Sequence, residues 1–359
     1  MGRPKKNIDN IEQIEKDESS TLDKKSGLEL SIEKEFGKNI LVDGNYIFTQ
    51  KSVIIPISPA IDTITGGMPE GGFFTLTGQP KAGKSTTALD FAATAQNPKY
   101  GGECCPDGRE IYFYAAEGRL KERDIAGILH LNRNKFHIIQ SIPGKILSAA
   151  DYLEIAERFI NEKPGSVHII DSYSALCTEA EKTGTMSDQQ RADGPKVIAK
   201  FCRKVCNTVP VNRCIIIGVT HQMGNPTGYS EFKEKSGQSI AYQVDVKLKC
   251  QAFRAWKINE AQIGQEVDWV CPNTATYITP GGKVTSFIRY GKGIDKTREA
   301  INIAIDLNII KKGGAWYEFP MFNNQKAQGL ENAVLFVDSM PNGYDIVYDK
   351  VKEMFGLTL

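Results

Sequence analysis

The chain has 359 residues, 41% of them hydrophobic and 24% charged, with a formal net charge of +1. That is an ordinary globular composition, long enough for a sizeable core in two domains or in one large domain with appendages. It excludes a global basic field as the basis of nucleic-acid binding, although a local groove would suffice, and no apolar run approaches the ~20 residues needed to cross a bilayer.

Met1-Gly2-Arg3-Pro4-Lys5-Lys6 is followed by polar residues instead of the apolar core of a signal peptide, so a cytoplasmic location is expected. The eight cysteines are scattered without paired C-x-x-C units, which points to reduced, mostly buried thiols. Residues 1–27, rich in Lys, Asp, Glu and Ser, read as a flexible arm. Residues 28–55 read as an N-terminal helix and linker. Leu28, Ile32 and Phe36 share one helical face, Gly37 stands where the helix would stop, and such a lone amphipathic helix needs a partner surface.

The expected core spans residues 56–290. Gly72-Phe73-Phe74-Thr75-Leu76-Thr77 reads as a short buried strand, and residues 85–93 as a helix that ends before Pro98. Between them, Gly78-Gln79-Pro80-Lys81-Ala82-Gly83-Lys84-Ser85 match G-x-x-x-x-G-K-[ST] at every fixed position, with Thr86 continuing the segment. The glycines let successive N–H groups curl inward, and the following helix N-terminus adds partial positive charge for phosphates. In such a loop Lys84 reaches the β- and γ-phosphates and Ser85 offers its hydroxyl to Mg²⁺, which makes a nucleoside triphosphate with Mg²⁺ the expected ligand.

Three further strand-like runs end in polar residues, the pattern of a mostly parallel sheet whose C-terminal edges carry the chemistry. Residues 111–116 end at Glu117, residues 167–170 at Asp171-Ser172, and residues 214–219 at Thr220-His221-Gln222. Asp171 fits a carboxylate that holds Mg²⁺ through its water shell, with capping of a following helix as the plainer reading. Glu117 is either the base that takes a proton from the attacking water or a surface glutamate, and its position alone leaves both open. Gln222 can sense the γ-phosphate on one side and move the next loop on the other; His221 reads first as a hydrogen-bonded loop histidine and second as a general base. Residues 178–195 and 223–238 read as long polar loops. The second holds Tyr229, Phe232, Lys233 and Lys235, aromatic and basic residues interleaved as single-stranded nucleic acid requires. Beyond Gly293, helices near 296–307 and from 329, with a strand at 316–319, make residues 291–359 a small α/β domain.

Together these motifs resemble RecA-type homologous-recombination ATPases, including the phage UvsX-like recombinases, from about Leu28 to Gly356. The similarity is carried by Ile32–Lys38, by Ser58–Gly67 ahead of the phosphate loop, by Ile170–Leu176 and by Thr220-His221-Gln222. Its most specific part is Tyr290–Asp295, Ile309–Tyr317 and Gln328–Ala333. The resemblance implies an α/β fold: a P-loop ATPase core with a mostly parallel sheet, an N-terminal helix that packs on the neighbouring protomer, and a small C-terminal α/β domain. It makes Glu117 the catalytic carboxylate and Gln222 the coupling residue. The two long loops become the DNA-binding loops, with Met186 and Arg191 in the first. The implied activity is DNA-dependent ATP hydrolysis in a helical filament on single-stranded DNA that exchanges strands with homologous duplex, with single-strand-binding and loader proteins as further partners.

The chain also departs from that family. Aligned on Tyr290-Gly291, Thr274 and Thr276 stand where the family carries a lysine pair that reaches the neighbour's ATP, which leaves Lys247, Lys249, Lys257 and Lys283 as candidate cations. Leu120-Lys121 replace the usual adenine contact, and His221 replaces the asparagine beside the switch glutamine. A ring-forming ATPase of the same fold, helicase or KaiC-like, and a recombination mediator without strand exchange are the rival readings. Residues 291–333, which ring helicases do not need, argue against the ring.

Overall fold

The computed structural model describes residues 26–50, 52–185, 193–224, 232–234, 243–274 and 281–357. The chain divides into two units, residues 1–51 and 52–359. In the first, the helix Gly27–Phe36 starts at a capping box: Ser26 Oγ accepts from the Glu29 N–H at 3.3 Å and the Glu29 carboxylate from the Ser26 N–H at 2.6 Å. Leu28, Leu30 and Phe36 on this helix are exposed.

The second unit opens with β1 (Ile54–Ile55) and β2 (Met68–Pro69), which pair around the helix Pro59–Thr65. The central sheet comprises β3 (Phe73–Gly78), β4 (Ile111–Ala115), β5 (Phe136–Ile139), β6 (Val167–Asp171), β7 (Ile215–Gly224), β8 (Phe232–Glu234), β9 (Val246–Ile258), β10 (Ala261–Thr274), β11 (Lys283–Arg289) and β12 (Gly293–Ile294). Its order is β12-β11-β10-β9-β3-β7-β6-β4-β5, with β8 paired to β7. The run from β9 through β5 is parallel, while β10, β11, β12 and β8 join antiparallel.

Strand alternation divides the apolar side chains between two cores. Phe74, Leu76, Phe113, Ile169, Ile215 and Ile217 face the helix Lys84–Ala95. Phe73, Tyr112, Tyr114, Ile170 and Ile216 face the helices Ala149–Glu162 and Gly194–Val205. Both faces are covered, which is why these strands read as continuous hydrophobic runs.

Three stretches differ from the sequence reading. Residues 178–195 are not one polar loop: Thr178 and Glu181 form a capping box for the helix Glu179–Thr183, and Pro195 occupies the first turn of the helix Gly194–Val205. Residues 223–238 begin as strand, since β7 continues to Gly224 and its end pairs with β8, Gln222 opposite Glu234. Residues 246–274 form a long β9–β10 hairpin that the sequence reading passed over. Val246, Leu248 and Cys250 alternate inward, but residues 251–255 are all exposed before Trp256 is buried again, so the pattern is interrupted along the strand.

The C-terminal residues pair β13 (Lys311–Gly313), β14 (Trp316–Phe319) and β15 (Gln325–Gln328) antiparallel. With the helices Lys296–Asp306, Leu330–Ser339 and Gly343–Phe355 they enclose a core of their own around Ile301, Phe319, Val337 and Val347. Buried Glu299 ties this body to the ATPase core by accepting from the Ala60 N–H at 3.0 Å.

Candidate nucleotide site and nucleic-acid face

The phosphate loop leaves β3 at Gly78 and enters the helix Lys84–Ala95. Its backbone is held in the required curl by Lys81 at φ 64° and Gly83 at φ 76°. A side chain at Gly83 would also collide with Ile288, and one at Gly78 would come within 2.7 Å of Cys250 Cβ. Glycine is needed at both positions for space, and at Gly83 for conformation as well. Gln265 of β10 braces the loop: its amide accepts from the Gly83 N–H at 3.2 Å and donates to the Lys81 carbonyl at 3.3 Å.

Lys84 is buried, and its ammonium donates to the carbonyls of Gln79 at 2.7 Å and Gly78 at 3.2 Å. Burial lowers its pKa, opposed by the nearby Asp171, Cys250 and Glu117. Burial likewise raises Asp171, opposed first by a hydrogen bond from Ser85. The site thus holds a desolvated cation beside a desolvated carboxylate and its hydroxyl partner. Each is stabilised in its charged form by a counter-charge, the cation by phosphate and the carboxylate by a divalent metal. This donor set and the glycine-lined cradle fit ATP with Mg²⁺.

Glu117 follows β4 and meets His221 of β7: Glu117 Oε1 lies 2.5 Å from His221 Nε2 and accepts from Ser172 Oγ at 2.8 Å. The His221 hydrogen bond, helped by Ser172, lowers the Glu117 pKa to about 2 against the effect of burial. The Asp171–Ser172 peptide is cis, and the Asp171 carbonyl accepts from the Glu117 N–H at 3.2 Å. The structure therefore brings Lys84, Ser85, Asp171 and Glu117 together at the ends of β3, β6 and β4, with His221 on β7 between them.

Gln222 alternates with His221 on β7, so it faces away from Glu117 and makes no hydrogen bond to it among the described residues. Of the two residues that touch the carboxylate, His221 is the histidine read from the sequence as hydrogen-bonded, and Ser172 is one to which the sequence reading gave no role. Ser172 was findable as the polar residue after Asp171. Gln265 carried no signal, being 182 positions from Gly83 with only the sheet to join them. Met186, Arg191, Tyr229 and Lys235 lie outside the described residues, as does Thr276. Phe232 and Lys233 are described as backbone in β8, where they pair with Gly224 and Met223. Lys283 lies 3.9 Å from Asp268.

Among the described residues no helix is long and apolar enough to cross a membrane. The family model for the RecA N-terminal domain matches residues 25–295, and that for the RecA C-terminal domain matches residues 298–356. The chain is similar to Protein RecA of Streptococcus gordonii, 30% identical over 99% of this chain and 90% of that one. It is also similar to Protein RecA of Lactobacillus johnsonii, 28% identical over 93% and 90%, and of Thermotoga petrophila, 28% over 93% of each chain. A match over both domains at full coverage, on a site built for phosphate and Mg²⁺, places the chain in the RecA family: it is a recombinase and DNA-dependent ATPase that uses ATP with Mg²⁺, binds single- and double-stranded DNA and forms filaments.

Proposed function

We propose that ATP is hydrolysed where the ends of β3, β4 and β6 meet, with each residue in a separate role. The amides of residues 78–86 and the Lys84 ammonium bind the phosphates. Ser85 and Asp171 hold Mg²⁺, which would offset charge on the phosphate oxygens. Glu117 orients the attacking water and takes its proton, and the loop amides at the helix N-terminus stabilise the charge that develops. Gln222, where the pairing of β7 with β8 begins, relays the state of the site to residues 223–238.

The DNA face is formed by residues 178–195 and 223–238, with Met186 and Arg191 in the first stretch and Tyr229, Phe232, Lys233 and Lys235 in the second. Residues 28–55 pack on the neighbouring protomer, as the exposed Leu28, Leu30 and Phe36 suit them to do. Residues 1–27 act as an arm, 56–290 as the ATPase core and 291–359 as a C-terminal α/β domain. Single-strand-binding and loader proteins are its further partners. Its place of work is the cytoplasm of a bacterium or phage-infected cell, where its DNA substrates lie.

The single observation that carries the catalytic reading is the convergence of Lys84, Ser85, Asp171 and Glu117 at one sheet edge. Glu117→Gln tests it. The variant is expected to bind ATP as the wild type does, to lose turnover and to stay on single-stranded DNA longer. Turnover near wild type, or rapid disassembly, would remove Glu117 from the role.

A further inference from the structure

Resting on the reading of Glu117 as the base, we propose that His221 is a positioning residue: it holds the Glu117 carboxylate in a resting pose and releases it when the β7–β8 hairpin shifts. The geometry has three parts. First, the contacts of Glu117 with His221 at 2.5 Å and with Ser172 at 2.8 Å both fall on Oε1. A carboxylate oxygen that already accepts two hydrogen bonds has its lone pairs engaged and is a weakened base towards water. The arrangement therefore restrains catalysis until one contact is broken.

Second, His221 is the contact built to break. Its Nδ1 is buried with no hydrogen-bond partner among the described residues, where the ring is held to its surroundings through the bond from Nε2. Ser172, by contrast, is fully buried next to Asp171 and cannot move without disturbing the strand end. Third, His221 sits where the two sites meet. Its backbone lies opposite Gly78, the first residue of the phosphate loop, and its N–H donates to Ser174 Oγ at 2.9 Å. One residue later Gln222 pairs with Glu234, and β8 carries Phe232 and Lys233. A movement of this hairpin on DNA would pull on His221 first. Gln222, facing the other side of β7, cannot break the Glu117 contact directly. The groups around His221 are Glu117 after β4, Ser172 and Ser174 after β6, and the more distant charge of Asp171 at the end of β6.

Steady-state ATPase assays of His221→Phe and His221→Asn, with and without single-stranded DNA, test the proposal. Both variants should raise the DNA-free kcat on the order of tenfold, the effect of losing one charge-assisted hydrogen bond, with the ATP KM within about twofold. The stimulation by DNA should shrink by the same factor. Asparagine is the second arm because it is polar and too short to reach Glu117, so one variant serves if the other fails to fold. A DNA-free kcat that stays the same or falls, with stimulation intact, would overturn the proposal. Adding Glu117→Gln to His221→Phe separates the two layers. If the double variant is inactive, Glu117 is the base and the His221 result stands by itself; if it still turns over, the reading of Glu117 has failed.

Discussion

Tyr348, in the last helix, donates its hydroxyl to Asp62 Oδ2 at 2.5 Å, and both residues are buried. Asp62 Oδ1 accepts from the Ile57 N–H at 2.8 Å, so one carboxyl joins the C-terminal body to the approach to the phosphate loop. Burial raises Asp62 from 3.8 to about 7, opposed by the bond from Tyr348, and raises its neighbour Glu299 from 4.5 to about 7.

The sign of the resulting pH dependence follows from proton counts. Between the unfolded values near 4 and the folded values near 7, the folded chain holds more protons than the unfolded one. Stability from these two groups is therefore full below that window and is lost as pH rises through about 7. Thermal melts should show Tm falling from pH 5 to about 8, and Asp62→Asn should flatten that slope. An unchanged slope in the variant would place the titration elsewhere.

Arg109 is fully buried with Glu70, its Nη2 2.5 Å from Glu70 Oε2, and donates to the carbonyls of Tyr100 and Gly165 at 2.9 Å and Arg213 at 3.1 Å. Arg109→Ala would take the closest partner from the carboxylate, which keeps the Val53 N–H at 3.1 Å and Arg213 at 3.7 Å, and would take this donor from three carbonyls, a cost of about 3–5 kcal/mol. Urea unfolding should report a loss in that range with an unchanged m value. A loss below about 1 kcal/mol would mean that water enters and solvates the site.

Lys84→Ala removes the loop's fixed cation from the phosphates. We expect kcat to fall about 10²- to 10³-fold, the effect of losing one preorganised group at developing charge, while the melting curve stays close to wild type because the ammonium bonds only two loop carbonyls. Turnover near wild type would remove residues 78–85 from the ATP site.

Much of this site was legible because its signals are local. Gly78 through Ser85 announce a strand, a loop and a helix within a dozen residues, and Asp171 ends an apolar run that can only be a buried strand. The Glu117–His221 bond joins positions 104 apart, through β4, β6 and β7, and no periodicity encodes which strand ends are neighbours. The β9–β10 hairpin escaped for another reason: residues 251–255 are all exposed between buried Cys250 and buried Trp256, so hydrophobic alternation lapses while backbone pairing continues. Gln222 reads from the sequence as the tip of its strand, whereas β7 runs on to Gly224, and only the parity of β7 reveals that its neighbour faces the carboxylate.

The last prediction concerns the hairpin. Phe232 and Lys233 lie on β8, held against the end of β7 at Gly224 and Met223, two residues beyond His221 and Gln222. An aromatic ring here can stack on a base, worth ~1–3 kcal/mol, and a lysine can contact a phosphate, each such contact adding about 0.7 to the slope of log affinity against log salt for a single strand. Phe232→Ala should therefore weaken single-stranded DNA binding about equally at all salt concentrations, whereas Lys233→Ala should weaken it most at low salt and flatten the slope. Fluorescence anisotropy with a labelled oligonucleotide across a salt series separates the two. If the hairpin works through β7 as well as by contact, both variants should also lower DNA-stimulated turnover at saturating DNA, with the DNA-free rate unchanged. Weakened binding with full stimulation at saturation would make β8 a contact surface alone, and equal affinity with equal slope would remove it from the DNA face.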